Sequence, residues 1–164
     1  MPLVPGSKRW HQRQPHPWWH GWRGFRCKSG VKYIYGSAFN DQLKGDSAIK
    51  LLTGGASNDK LEGAAGNDYP LGEASNDAHI GDAGAGVFVF DNCFGHDTIS
   101  DIWASTGRTD RMWVINTDIH SFANVQTHAA DTATGLVLTI SLEDSITFTG
   151  LMLSSFVADD FIFV

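Results

Sequence analysis

Residues 36–89 read GSAFNDQLK GDSAIKLLT GGASNDKLE GAAGNDYPL GEASNDAHI GDAGAGVFV, six units of nine that open on Gly36, Gly45, Gly54, Gly63, Gly72 and Gly81. The sixth place holds Asp41, Lys50, Asp59, Asp68, Asp77 and Gly86, with Asn40, Asn58, Asn67 and Asn76 preceding four of them. The eighth place holds Leu43, Leu52, Leu61, Pro70, His79 and Phe88. A fixed period across so many units marks a repeat architecture, in which each unit buries its apolar side on the next. Within a unit, six residues make a turn and three make a short strand with one inward side chain. Glycine serves the turn because it visits positive φ, where a Cβ clashes with the backbone. Tyr33-Ile34-Tyr35 fits the same phase as a leading strand.

Outward from the repeat the texture changes on both sides. Glycine makes up 18 of 164 residues, about 11%, against a usual share of roughly 7%, and the surplus sits mostly between Gly36 and Gly95. Residues 1–30 hold six of the twelve Lys and Arg and no Asp or Glu, so residues 31–164 carry 6 − 18 = −12 of the net charge of −6. A segment this acidic repels itself unless a cation binds it, and it is a poor partner for nucleic acid. Residues 1–30 show neither a strand nor a helix period. They read as an unstructured basic tail, with a basic aromatic patch for a polyanion as the alternative. After residue 90, runs rich in Ile, Val, Thr and Phe predict strands at 98–102, 111–115, 136–141, 145–149 and 161–164, and residues 118–125 predict one short helix. The expected organisation is a tail over 1–30, a roll over 31–90 and a C-terminal β cap over 91–164. No stretch reaches the roughly eighteen apolar residues of a membrane span, and the N-terminus has no apolar core of a secretory signal. Cys27 and Cys93 are too few for a disulfide scaffold and are expected to be unpaired.

The turn chemistry points to a metal. In a turn of the G-G-x-G-x-D kind, backbone carbonyls point inward and an Asp closes the ring of oxygens. Ca²⁺ takes six to eight such oxygens at about 2.3–2.6 Å. An Asn-Asp pair is by itself a common turn former; three Asp in phase eighteen residues apart, at Asp41, Asp59 and Asp77, favour the ion.

The units GGASNDKLE and GAAGNDYPL, supported by GSAFNDQLK and GEASNDAHI, resemble the hemolysin-type calcium-binding (RTX) repeat. The likeness extends to Val87-Phe88-Val89-Phe90, to residues 94–101 and to residues 146–150 and 158–164, which resemble the C-terminal region of proteases and epimerases exported by the type I route. It implies an all-β fold, a parallel β-roll with two nonapeptides per full turn followed by the β cap. One side of the roll then stacks the loops ending in Asp41, Asp59 and Asp77, and the other those ending in Lys50, Asp68 and Gly86. In this family calcium sits between two stacked loops, with one Asp and main-chain carbonyls from each. The resemblance therefore implies sites at Asp41/Asp59 and Asp59/Asp77. The carbonyls of Gly55, Ser57, Gly72 and Ala74 would serve the second gap, and Ser37, Phe39, Gly54 and Ala56 belong to the same candidate ligand set. On the other side Lys50 brings an ammonium to the cation's place and Gly86 brings no carboxylate, so Asp68 offers a weak third site or none. Pro70 and His79 stand as defects in strand positions, which Leu71 and Ile80 would offset by a register shift.

No catalytic motif accompanies the repeat. There is no His-Glu-x-x-His, no Gly-x-Ser-x-Gly and no phosphate loop. His11, His16 and His20 are broken by Pro15 and Pro17 and cannot share a helical face, and His96-Asp97 reads as a turn pair. The expectation is a secreted, extracellular calcium-binding module without its own catalysis. Calcium ions are its first partner, and the type I secretion machinery its second, through Asp159-Asp160 and the apolar end at 161–164. The alternatives are the C-terminal fragment of a secreted protease, lipase or alginate epimerase, and a calcium-dependent adhesion or polysaccharide-binding module.

Overall fold

The computed structural model describes residues 25–26, 32–102, 104–105, 108–115 and 117–164. In chain order the strands are β1 (Phe25–Arg26), β2 (Tyr33–Tyr35), β3 (Gln42–Lys44), β4 (Leu51–Gly55), β5 (Lys60–Glu62), β6 (Tyr69–Glu73), β7 (Ala78–Ile80), β8 (Val87–Phe90) and β9 (His96–Ile99). Then follow β10 (Ala104–Ser105), β11 (Arg108–Thr109), β12 (Arg111–Val114), the helix α1 (Phe122–His128), β13 (Ala129–Thr132), β14 (Gly135–Thr139), β15 (Ser145–Thr149) and β16 (Phe161–Phe163). Among these residues no helix is long and apolar enough to cross a membrane.

The repeat winds as a parallel β-roll. From β2 to β9 even-numbered strands fall in one sheet, β16-β12-β8-β6-β4-β2, and odd-numbered ones in another, β1-β3-β5-β7-β9-β15-β14-β13, while β10 pairs with β11 alone. Partners lie eighteen residues apart: Leu43 faces Leu61, Leu61 faces His79, and Ile34 faces Leu52. That is two nonapeptides per turn. Backbone bonds repeat at the same interval, as in Lys60 N donating to Asp41 O and Ala78 N to Asp59 O, both at 2.9 Å. Because strand side chains alternate, each three-residue strand of the roll buries its middle residue alone. Ile34, Leu43, Leu52 and Leu61 make a core only one side chain wide. Each leucine buried there contributes about 1.5–3 kcal/mol, a thin margin for so many ordered turns.

Beyond β9 the cap supplies what the roll lacks. β12 continues the even sheet in parallel with β8 and β16, while β15 pairs in parallel with β9 before β14 and β13 close it antiparallel. A larger core forms there, with Phe88, Phe90, Ile99, Met112, Leu136 and Phe148 fully buried.

Several expectations are corrected. The helix lies at Phe122–His128 rather than 118–125, because Ser121 is its N-cap, its Oγ accepting from Asn124 N at 3.2 Å. The first cap strand is His96–Ile99 rather than 98–102. Asp101 leaves the sheet to accept from the backbone N–H groups of Gly81 and Asp82, at 2.7 and 2.9 Å. β13 has no counterpart in the sequence reading, since it is polar and mostly exposed. Phe25–Arg26, inside the stretch read as a tail, pairs in parallel with Leu43-Lys44; the rest of residues 1–30, with Cys27 and His11, His16 and His20, lies outside the described residues. No register shift occurs at the strand defects: Pro70 stays opposite Leu52 and His79 opposite Leu61, both buried. Cys93 is a free, exposed thiol.

Candidate metal centre

In the turns of the later units the second and fourth places take a backbone conformation that favours glycine. Gly55 and Ser57, Ala64 and Gly66, Glu73 and Ser75, and Asp82 and Gly84 all have positive φ, from 60° to 140°. Five of these eight are not glycine, and each such residue costs roughly 1–2 kcal/mol of backbone strain. The first two loops are built differently. Ser37, Phe39, Asp46 and Ala48 are absent from the left-handed region, and side chains close these loops instead.

The sixth-place carboxylates form a ladder. Asp59 Oδ1 accepts from the backbone N of Asp41, and Asp77 Oδ1 from the backbone N of Asp59, both at 2.7 Å. On the other side Asp68 Oδ1 accepts from Lys50 N at 2.8 Å. Each Asp thus ties its own loop to the loop eighteen residues before it. All of them are buried, at 2–3% exposure.

The second carboxylate oxygens differ from loop to loop. Asp41 Oδ2 is taken by Ser37, whose N–H and Oγ donate to it at 2.5 and 2.8 Å. The Oδ2 atoms of Asp59, Asp68 and Asp77 are buried with no hydrogen-bond partner. A buried acceptor without a donor is costly, and an anionic one more so. Burial pushes the carboxyls of Asp59 and Asp68 up to about 6 and that of Asp77 to about 7, with neighbouring carboxylates adding to the rise.

Bare glycine faces stand over these oxygens. A Cβ on Gly54 would lie 2.4 Å from Asp59 Oδ2 and 2.8 Å from the carbonyl oxygen of Gly72, one rung above. At Gly63 the same point is 2.9 Å from Asp68 Oδ2 and 3.1 Å from Gly81 O. An anionic oxygen and a carbonyl oxygen of successive rungs therefore converge over a residue with no side chain. An oxygen-rich, anionic, donor-free cradle fits a hard divalent cation.

The remaining sequence-stated ligands have the following places. Gly54 and Gly55 end β4, Gly72 lies in β6, and Ala56, Ser57 and Ala74 lie in the turns that follow those strands. Gly55 O accepts from Ala74 N at 3.1 Å and Ser37 O from Ala56 N at 3.2 Å, so these two carbonyls already serve the rung above. Phe39 is exposed, and its N–H donates to Ser37 Oγ. Lys50 proves to be more than an obstruction. It is fully buried, and its Nζ donates to Asp46 Oδ1 and, at 3.0 Å, to Ala48 O, closing its own loop with a cation the chain carries itself.

Two carboxylates were missed. Asp97 Oδ1 accepts from Asp77 N at 2.8 Å and Asp110 Oδ1 from Gly86 N at 2.7 Å, so the cap carries both ladders one rung further. The signal for Asp97 was present in Gly95-His96-Asp97, where Gly95 has φ of +87° and stands two before an Asp, as in the repeat. The two-residue insertion hid it. Asp110 stands 24 residues from its partner and has no such signal.

No protein-family model matches the chain, and no curated protein does. Among solved structures, the chain is similar to the extracellular lipase LipA from Serratia marcescens, with a TM-score of 0.67 and 24% identity. The likeness covers 80% of this chain and 21% of that one. It is one of fold, and the chain spans about a fifth of that lipase's length.

Proposed function

We propose that the roll binds calcium between stacked loops and that the ion completes its folding. The observation that carries this is the set of buried, partnerless Oδ2 atoms of Asp59, Asp68 and Asp77 beneath bare glycine faces. The Asp59/Asp77 gap comes first, since both of its carboxylates have a free oxygen. The Asp41/Asp59 gap follows, once Ser37 yields Asp41 Oδ2. Gly72 O and the neighbouring carbonyls of Gly55, Ser57 and Ala74 supply neutral oxygens. Calcium, when bound, supplies the positive charge that these residues lack. The chain's own part is to hold the carboxylates in register through the Asp-to-backbone bonds and to keep out competing donors.

Folding and binding are then one process, because the cradle does not exist in the extended chain. Extracellular calcium modules bind in the region of 10⁻⁴–10⁻³ M, so the roll stays open at cytosolic calcium and closes outside the cell. Phe161–Phe163 is paired with Met112–Val114 in the folded chain, so a secretion signal there has to be read while the chain is still loose.

A second reading, that this chain corresponds to the C-terminal part of a secreted enzyme, is compatible with the likeness to about a fifth of a longer extracellular lipase. Both readings give the roll the same role. Calcium titration of the full chain, followed by far-ultraviolet circular dichroism, tests it. β signal should grow at millimolar calcium and not with magnesium, which dehydrates reluctantly and is seldom held by all-protein oxygen cages. Full β signal in chelator, or an equal response to magnesium, would remove the basis for the proposal.

A further inference from the structure

We infer that Asp77, His79 and Asp97 form a second kind of metal site, for a borderline divalent ion of the zinc class, where the roll meets the cap. The eighth place of the repeat is an inward position, filled by leucine at Leu43, Leu52 and Leu61. His79 occupies it with no exposure, opposite Leu61 on one side and Ile99 on the other. Its ring meets Phe88 and Phe90 edge-on, with centroids 6.1 and 5.5 Å away. An imidazole in so apolar a place is costly unless both nitrogens are engaged. Nε2 lies 3.1 Å from Asp97 Oδ2, while Nδ1 has no partner.

The two carboxylates beside it are held for a further ligand. Asp97 Oδ1 is fixed by Asp77 N and Asp77 Oδ1 by Asp59 N, which orients both groups through the main chain. Asp77 Oδ2 is buried and partnerless. One ligand atom from each of the three residues lies within 4.8 Å of the other two. An Asp97–His79 hydrogen bond alone would account for one oxygen and one nitrogen. It leaves His79 Nδ1 and Asp77 Oδ2 buried without partners. A divalent ion held by His79 Nε2 and by one oxygen each from Asp97 and Asp77 engages a carboxylate that is otherwise left without a partner and offsets the charge of two carboxylates.

The imidazole sets the class of ion. Calcium and magnesium take oxygen, whereas zinc takes nitrogen and oxygen together, commonly with three protein ligands and a fourth position for water. Imidazole and carboxylate ligands at about 2.0–2.2 Å from zinc stand roughly 3.3 Å apart in a tetrahedron, close to the separation of His79 Nε2 and Asp97 Oδ2. This site goes beyond the calcium reading, meets it at Asp77, whose free Oδ2 would bridge the two ions, and would latch the last complete rung of the roll to the cap.

The test is zinc affinity of the full chain, measured against a chromophoric competing chelator, for wild type, His79→Leu and Asp97→Asn. His79→Leu restores the residue found at other eighth places, and Asp97→Asn keeps an acceptor for Asp77 N. The tail histidines are common to all three proteins, so the reading is the difference. The strongest zinc equivalent of wild type should weaken on the order of a hundredfold or more in both variants, and Co²⁺ in wild type should give visible absorption that His79→Leu lacks. The calcium response of circular dichroism should persist in His79→Leu; if that variant does not fold, Asp97→Asn decides. Zinc affinity within threefold of wild type in a folded variant, or no tight equivalent in wild type, overturns the inference. A His79-dependent zinc site in a chain indifferent to calcium would sink the calcium reading alone.

Discussion

Replacing Asp59 by asparagine separates what its carboxylate does for the fold from what it does for an ion. Asp59 Oδ1 caps the buried backbone N–H of Asp41 at 2.7 Å, and Oδ2 faces the bare Gly54 near Gly72 O with no donor. An asparagine of the same shape keeps the Oδ1 acceptor and turns an amide N–H₂ toward Gly72 O. It also removes a buried charge. The carboxyl titrates near 6 in the fold against 3.8 unfolded, so at neutral pH its charge costs about 3 kcal/mol of metal-free stability, from 1.36 × (6 − 3.8). Without calcium, Asp59→Asn should therefore be more stable than wild type by up to about 3 kcal/mol. With calcium the order reverses in part. At ten times its Kd each ion adds about 1.4 kcal/mol, and Asp59 borders both proposed gaps, so the variant should lose the greater part of that gain. Urea unfolding followed by circular dichroism, in chelator and in millimolar calcium, reads both quantities. An Asp59→Asn protein less stable than wild type in chelator, or one keeping the full calcium increment, would refute the reasoning. Asp59→Ala should instead weaken the protein in both conditions, since it also strips the acceptor from Asp41 N.

Other expectations follow from the same geometry. Asp59, Asp68 and Asp77 have folded pKa values raised to about 6, 6 and 7. The metal-free fold thus binds more protons than the unfolded chain between about pH 4 and 7, and its stability falls as pH rises through that window. Urea midpoints in chelator should therefore increase on acidification from pH 7 toward 5, while apparent calcium affinity, measured by dye competition, decreases because protons hold the same oxygens. Lys50→Met should lower stability equally with and without calcium, because Ala48 O and Asp46 lose the ammonium that closes their loop; a gain in calcium sites would contradict this. Glu73→Gly should raise stability by about 1 kcal/mol in both conditions, since Glu73 sits at φ of 72°, and thermal unfolding reads it directly.

Much of the roll was legible because its period is geometric. A nine-residue repeat with an inward residue at each eighth place and an Asp at four of its six sixth places leaves little freedom in register, and Leu43, Leu61 and His79 align eighteen residues apart. The stacking of Asp59 with Asp77 followed from the resemblance to the RTX repeat, which implies two nonapeptides per turn, and Asp59 N donates to Asp77 Oδ1. What the sequence concealed lies where side chains replace the repeat's backbone chemistry. Lys50 reads as a misplaced charge until its four-carbon stem is seen to bring the ammonium back to its own loop. Ser37 reads as a poor glycine until it caps Asp41. His79 reads as a flaw in the core, because the two carboxylates that face it come from a turn and from beyond the end of the period. Asp97 and Asp110 continue the ladder only after insertions have broken the count.

Diffraction from crystals grown in abundant calcium addresses the central claim most directly. Density for an ion should appear between the loops of Asp59 and Asp77, with carboxylate and carbonyl oxygens at about 2.3–2.6 Å and both Oδ2 atoms engaged. A gap still dry at saturating calcium, with those two oxygens unliganded, would contradict it.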